Sequence, residues 1–267
     1  MKSRETSGKV AAFFDLDGTL IAKPSLELRF LAELRRRRAI PMANYLLWLA
    51  RAAWLAPRGI RMMRYANKMY LRGLCSNQVG AERERGQPPR QDSGQAASAV
   101  PRFFPEGVDQ VAWHARQGHA IILVSGTLAP LAQEMALALV VRLAVRRIAA
   151  SVAVRATRLE ENDGRWTGRI VGDAMFGRAK AQAVRQMAID KGFELAQCYA
   201  YGDCISDRWM LDAVGRAMVV NASWRMQRLA RRRGWAALTW GETRNLTQSA
   251  QRTQRRQDHI LDSERLA

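Results

Sequence analysis

Short unbroken apolar runs alternate along this chain with longer stretches in which apolar residues recur at helical spacing. Val10 to Phe14, in KVAAFFDLDGTL, runs straight into Asp, Gly and Thr. An apolar run closed by a glycine turn predicts a strand buried on both faces, as in a parallel sheet. Ala120 to Val124 in AIILVSGT predicts a second such strand, CYAYGD a third and AMVVN a fourth. From Ser25 to Leu74 no strand pattern intervenes. Leu26, Phe30, Leu31 and Leu34 share one helical face, and further helices are predicted over Met42–Leu55 and Arg61–Leu71, punctuated by Pro41 and Pro57. PEGVDQVAWHARQGH, PLAQEMALALVVRLAV, GRAKAQAVRQMAIDKG and ASWRMQRLARRRG also read as helices, the second followed by a short strand. VRATRLEENDGRWTGRIVG reads as a hairpin turning at Asp163-Gly164.

Strands alternating with helices imply an α/β fold, a doubly wound and mostly parallel sheet. Its core would comprise residues 10–22 and 100–240, with a helical unit, 23–99, inserted after the first strand. The polar stretch 82–98, rich in Gly, Pro and Gln, is expected to form a mobile loop, and 241–267 a polar, basic tail. Ligands of such sheets bind beyond the carboxyl ends of the strands. Asp15, Ser125 and Asp203 each stand just past a predicted strand end, so neighbouring strands would bring them to one crevice.

Composition narrows the setting. With 48% apolar residues among 267, a sizeable core can form. Lys and Arg total 43 against 24 acidic residues, a net charge of +19 that attracts phosphorylated ligands, nucleic acid or anionic membrane without choosing among them. Cys75, Cys198 and Cys204 have no zinc-like spacing, which argues against a zinc site or disulfide framework and fits a reducing compartment. MKSRETSGKV lacks the apolar segment of a secretory signal. Ile40 to Ala56 is shorter than the roughly 20 residues of a membrane span and contains Asn44 and Arg51. It reads as a buried or interfacial helix, and the expected location is cytoplasmic, with contact at a membrane surface the alternative.

The candidate chemistry is acidic. Asp15 and Asp17 in DLDGT lie two apart where a strand enters a turn, a spacing that lets both face one site. Carboxylates there suit a hard cation of the magnesium type, and one could attack phosphorus. Ser125 and Gly126, in SGT, offer a hydroxyl and loop N–H groups to an anion; Lys180 offers a cation; Asp203 and Asp207 in GDCISD add carboxylates. Each alone has an ordinary explanation as a turn residue, an N-cap, a surface lysine or a first-turn acid.

Taken in order, DLDGT, SGT, the lysine of GRAKAQA and GDCISD resemble the four motifs of the haloacid dehalogenase (HAD) phosphohydrolase superfamily. The helical insertion directly after the first motif is similar to the C1-type cap of subfamily IB, the phosphoserine-phosphatase-like branch. The resemblance runs from about Val10 to Trp240. It implies that Asp15 is a nucleophile and Asp17 an acid and then a base, with Mg²⁺ held by Asp15, the Asp17 carbonyl and Asp203. It further implies that Ser125, Gly126 and Lys180 hold the phosphoryl oxygens, with Thr19 and Asp207 in support. The implied partner is a small phosphorylated substrate. Nucleic acid is not expected, since RLARRRGW comes without a groove-reading motif.

The substrate is not implied. Pro24 stands where phosphoserine phosphatases carry the cap Glu that reads the substrate's amino group, and Glu27 is about one turn displaced. Phosphoserine is therefore not the expected substrate. The inserted unit places Tyr45, Trp48 and Trp54 among leucines, with Arg51, Arg58, Arg61 and Arg64 close by. Aromatic and basic residues together suit a membrane interface or an acyl-bearing phosphate, but the pattern favours an ordinary cap core with snorkelling arginines. Cys204 falls where the family often has a small residue; as a thiol beside a metal site it would be open to soft metals and oxidation. Two other classes remain: a phospho-accepting receiver, which needs neither a cap nor Asp17, and a non-enzymatic basic binding protein on the same fold.

Overall fold

The computed structural model describes residues 9–58, 67–76 and 102–241. Strands β1 (Ala11–Phe14), β2 (Ala120–Leu128) and β3 (Val152–Thr157) form one half of the central sheet. A hairpin follows, β4 (Leu159–Asn162) and β5 (Arg165–Ile170), and then β6 (Tyr199–Gly202), β7 (Arg216–Val220) and β8 (Ala236–Leu238). The sheet has six strands in the order β3-β2-β1-β6-β7-β8, and every neighbouring pair is parallel. β1 is central, which is why its run is apolar without alternation.

Successive side chains of a strand point to opposite faces, and the core divides accordingly. Ala12 and Phe14 pack with Ile121 and Leu123 under helices α3 (Pro105–Arg116) and α4 (Ala129–Val145). Ala11 and Phe13 pack with Ile122 and Val124 on the other face, under α5 (Arg178–Lys191), the short α6 (Arg208–Leu211) and α7 (Trp224–Arg233). Phe13 and Phe14 are fully buried; burial of such a side chain stabilises by about 1.5–3 kcal/mol. The sandwich of helices on both faces confirms the α/β expectation.

The segment after β1 carries α1 (Leu26–Arg36) and α2 (Met42–Leu55). Ser25 caps α1, its Oγ accepting the Leu28 N–H at 3.4 Å, and Asp17 Oδ1 accepts the Leu26 N–H at 2.8 Å. Two of the donors that a helix start leaves unpaired are thus satisfied, one of them by a carboxylate of the DLDGT turn. Asn44 ties α2 to the next segment by donating to the carbonyls of Tyr70 and Arg72, at 3.3 and 2.7 Å.

Some expectations shift. Of the helix predicted over Arg61–Leu71, residues 61–66 lie outside the described residues and Met69–Leu71 forms a 3₁₀ turn. The loop expected at 82–98 also lies outside them, as does the tail beyond Gly241. β2 continues to Leu128, so Ser125 and Gly126 stand within its last residues rather than past its end; its pairing with β3 becomes irregular between Ser125 and Leu128. β8 was not foreseen. The hairpin turns at Asp163-Gly164 as expected, but VRAT belongs to β3 at the edge of the main sheet. The hairpin also reaches the inserted segment: the Gly73 N–H donates to the Trp166 carbonyl at 2.7 Å, and the Trp166 N–H to that of Leu74 at 2.9 Å.

Candidate active site

Three carboxylates and a lysine from three separate stretches of the chain meet beyond the carboxyl ends of β1 and β6. The Asp15 N–H donates to the Tyr201 carbonyl at 2.9 Å, so strand geometry persists through this residue. Lys180, in the first turn of α5, donates to Asp15 Oδ1 at 2.6 Å and to Asp207 Oδ1 at 2.7 Å. The Thr19 hydroxyl donates to the other Asp15 oxygen at 3.3 Å. Asp15, Lys180, Asp203 and Asp207 are all buried.

Two glycines permit this closeness. Gly18 has φ +93°, and a Cβ there would lie 2.3 Å from Asp203 Oδ2. At Gly202 a Cβ would lie 2.7 Å from the Asp207 Cβ. Any side chain at either position would displace a carboxylate, which explains DxDG and GD in physical terms.

Burial raises the Asp15 pKa well above the ordinary carboxylate value, against the opposing pull of Lys180. Asp203 is raised by burial and then by Asp207, with Lys23 opposing. Asp17 is pushed up to about 6, chiefly by burial, while the Leu26 N–H lowers it. Burial works against the charge of Lys180, but Asp15 and Asp207 outweigh it and hold the ammonium above its ordinary value. Asp17 thus titrates near neutral pH, where proton donation and acceptance are both accessible.

On the β2 side, Ser125 Oγ accepts the Thr127 N–H at 3.2 Å, which leaves its own proton for an acceptor in the cavity. Thr127 Oγ1 is buried without a hydrogen-bond partner. Such an orphan is costly unless a ligand satisfies it. Thr157 fixes the local backbone by donating to the Gly126 carbonyl at 2.8 Å and accepting the Met175 N–H at 3.1 Å.

A cavity of about 820 Å³ opens over these groups, lined below by Asp15, Asp17, Ser125, Gly126, Lys180 and Asp203. Its upper wall comes from α1, α2 and the 67–70 segment. The volume lies in the range of small-molecule sites, roughly 300–1,000 Å³.

The donor set suits a hard divalent cation: carboxylate oxygens of Asp15 and Asp203, both raised in pKa first by burial. Lys23, an exposed residue that the sequence reading did not single out, places its ammonium 2.7 Å from Asp203 Oδ2. Nothing in its local sequence signals that contact. The Cys204 thiol donates to Asp207 Oδ2 at 3.1 Å and lies 2.9 Å from the Ser206 hydroxyl. Burial and then Asp207 push its pKa up. A thiol held protonated in this way is less reactive than free cysteine.

A model of the haloacid dehalogenase-like hydrolases matches residues 12–212, and the chain belongs to that family. It is 32% identical over 237 residues to the "probable phosphatase Rv3661" of Mycobacterium tuberculosis, covering 87% of this chain and 76% of that one. A crystal structure of a Bordetella pertussis Tohama I protein of unknown function superposes with TM-score 0.64 at 25% identity, covering 87% of this chain and 99% of that one. An apo phosphoserine phosphatase superposes with TM-score 0.53 at 16% identity, covering 86% and 92%; at that identity the likeness is one of fold.

Proposed function

We propose that this protein is a Mg²⁺-dependent phosphomonoesterase acting through an aspartyl-phosphate. One observation carries the reading: buried Asp15, its Lys180 partner and the Ser125 and Thr127 hydroxyls share a single cavity. The matched relative named a probable phosphatase supports it.

In the first step an Asp15 oxygen bonds to phosphorus while the phosphorus–alcohol bond breaks, and Asp17 gives its proton to the departing alkoxide. In the second, Asp17 takes a proton from water, the water oxygen bonds to phosphorus, and the bond to Asp15 breaks to release phosphate. Lys180 and the two hydroxyls stabilise the phosphoryl oxygens, and Asp207 holds Lys180 in place. Mg²⁺, bound by the Asp15 and Asp203 carboxylates and the Asp17 carbonyl, would offset charge on the attacked phosphoryl group.

The test is phosphate release with and without Mg²⁺. Chelation is expected to abolish turnover and Mg²⁺ to restore it. Asp15→Asn, verified by mass for absence of deamidation, is expected to lose about 10³-fold or more, since covalent catalysis ends with the nucleophile. Full turnover by that variant would sink the scheme.

A membrane-peripheral setting is a second reading, favoured by the outer face of α2. Met42, Leu46 and Leu49, one face at helical spacing, are 78%, 69% and 56% exposed, and Arg51 lies 4.2 Å over the Trp54 ring. Among the described residues no helix is long and apolar enough to cross a membrane.

A further inference from the structure

The floor of the cavity is polar, and much of its roof is apolar. Leu28 and Leu31 of α1 and Tyr45 and Trp48 of α2 form the roof above the carboxylates, and the surface lining the cavity is mostly apolar. Leu28 is 46% exposed, an apolar side chain that a ligand in the cavity would cover.

The roof's one carboxylate among the described residues is Glu27, and it is already engaged. The Lys68 ammonium, on a residue 1% exposed, donates to Glu27 Oε1. The Tyr70 hydroxyl donates to the same oxygen at 2.7 Å. The Glu27 charge is thus already balanced by a buried ammonium, so a cationic group on a ligand would gain less there than at an unpaired carboxylate. The remaining charge at the roof is positive: Arg35, 5.9 Å over the Tyr45 ring. The roof therefore offers an ammonium-bearing leaving group no carboxylate that lacks a cation, and offers an apolar one a wall.

We infer, resting on the phosphatase reading above, that the substrate is a phosphate monoester of a long-chain apolar alcohol: the phosphate lies on the floor and the chain lies against Leu28, Leu31, Tyr45 and Trp48. Such an amphiphile can arrive as a free monomer or from a bilayer, and the chemistry recognised is the same. Each methylene fully buried raises affinity about fourfold, and only part of a chain need be covered for the gradient to show.

The experiment compares kcat/KM with Mg²⁺ for butyl phosphate, octyl phosphate and phosphoserine as monomers. Octyl phosphate is expected to exceed butyl phosphate by about tenfold or more, and phosphoserine to rank lowest. Leu28→Asp, a change at a half-exposed position, is expected to reduce the octyl-to-butyl ratio to near one. A flat chain-length profile, or phosphoserine on top, would overturn the inference and leave the phosphatase reading intact. If no ester is turned over, the phosphatase reading fails, and the roof is judged by calorimetric binding of the two alkyl phosphates to Asp15→Asn. Tighter binding of the octyl ester by about tenfold then supports the inference, and equal binding overturns it. A long-chain alkyl phosphate held in phosphatidylcholine vesicles, set against the monomers, distinguishes the sources: faster release from vesicles assigns a bilayer substrate, faster release from monomers a soluble one.

Discussion

Lys180 donates to Asp15 and Asp207 at once, and without it two buried carboxylates would face each other with no cation between them. The same logic of burial acts in reverse at His114. This residue is fully buried, with Nε2 2.8 Å from the Tyr201 hydroxyl and Nδ1 2.8 Å from His119 Nδ1. Burial, and then His119, lower its pKa to about 3. In the unfolded chain it would take up a proton near pH 6.5. Between roughly pH 3 and 6.5 the unfolded state thus binds more protons, and this group's contribution to stability falls as pH falls. His114→Gln should flatten the decline relative to wild type by at most about 1.4 kcal/mol per pH unit, read by urea unfolding at pH 7, 6 and 5. Parallel curves for the two proteins would refute the assignment. Asp15 and Asp203 titrate in the opposite sense, which is why the difference between the proteins is the proper readout.

At the scale of elements, α1 links the DLDGT turn to the roof. The N–H of its first residue, Leu26, is held by Asp17, and the side chain of the next residue, Glu27, is held by Lys68 and Tyr70. Lys68→Met should therefore destabilise the protein by about 2 kcal/mol, below the fully buried range because Glu27 is still 20% exposed. That corresponds to a fall of about 4–8 °C in Tm by calorimetry. Adding Glu27→Gln should recover much of the loss, since no unpaired carboxylate remains; a double variant as unstable as the single one would contradict the pairing. The element boundaries explain what could be read beforehand. β1, β2 and β6 were legible because central parallel strands must be apolar throughout, and Asp15, Ser125 and Asp203 because they follow those runs. The docking of the β4–β5 hairpin on residues 73–74 was not legible, because each of those strands looks like an ordinary hairpin arm until its outer partner is known.

For the whole molecule, the membrane reading combines the net charge of +19 with the apolar outer face of α2. Sedimentation with anionic vesicles is expected at low salt, with release as screening shortens the range of the field. Leu46→Ser is expected to weaken binding at every salt concentration. Absence of binding to anionic vesicles at low salt would remove the membrane reading without touching the substrate inference, which rests on the interior of the cavity.

What the sequence determined by itself was the order of chemistry: strand, then carboxylates or hydroxyl, repeated at Asp15, Ser125 and Asp203, with Lys180 and Asp207 near helix starts. Local pattern and strand direction suffice for that, because a parallel sheet delivers every strand's carboxyl end to the same edge. The fold decided the pairings. Lys23 on Asp203, Lys68 on Glu27, the orphan hydroxyl of Thr127 and the apolar roof all depend on side chains that meet across long sequence separations. Such contacts leave no local periodicity, and burial, which sets their charge states and their cost, exists only once the chain has closed around them.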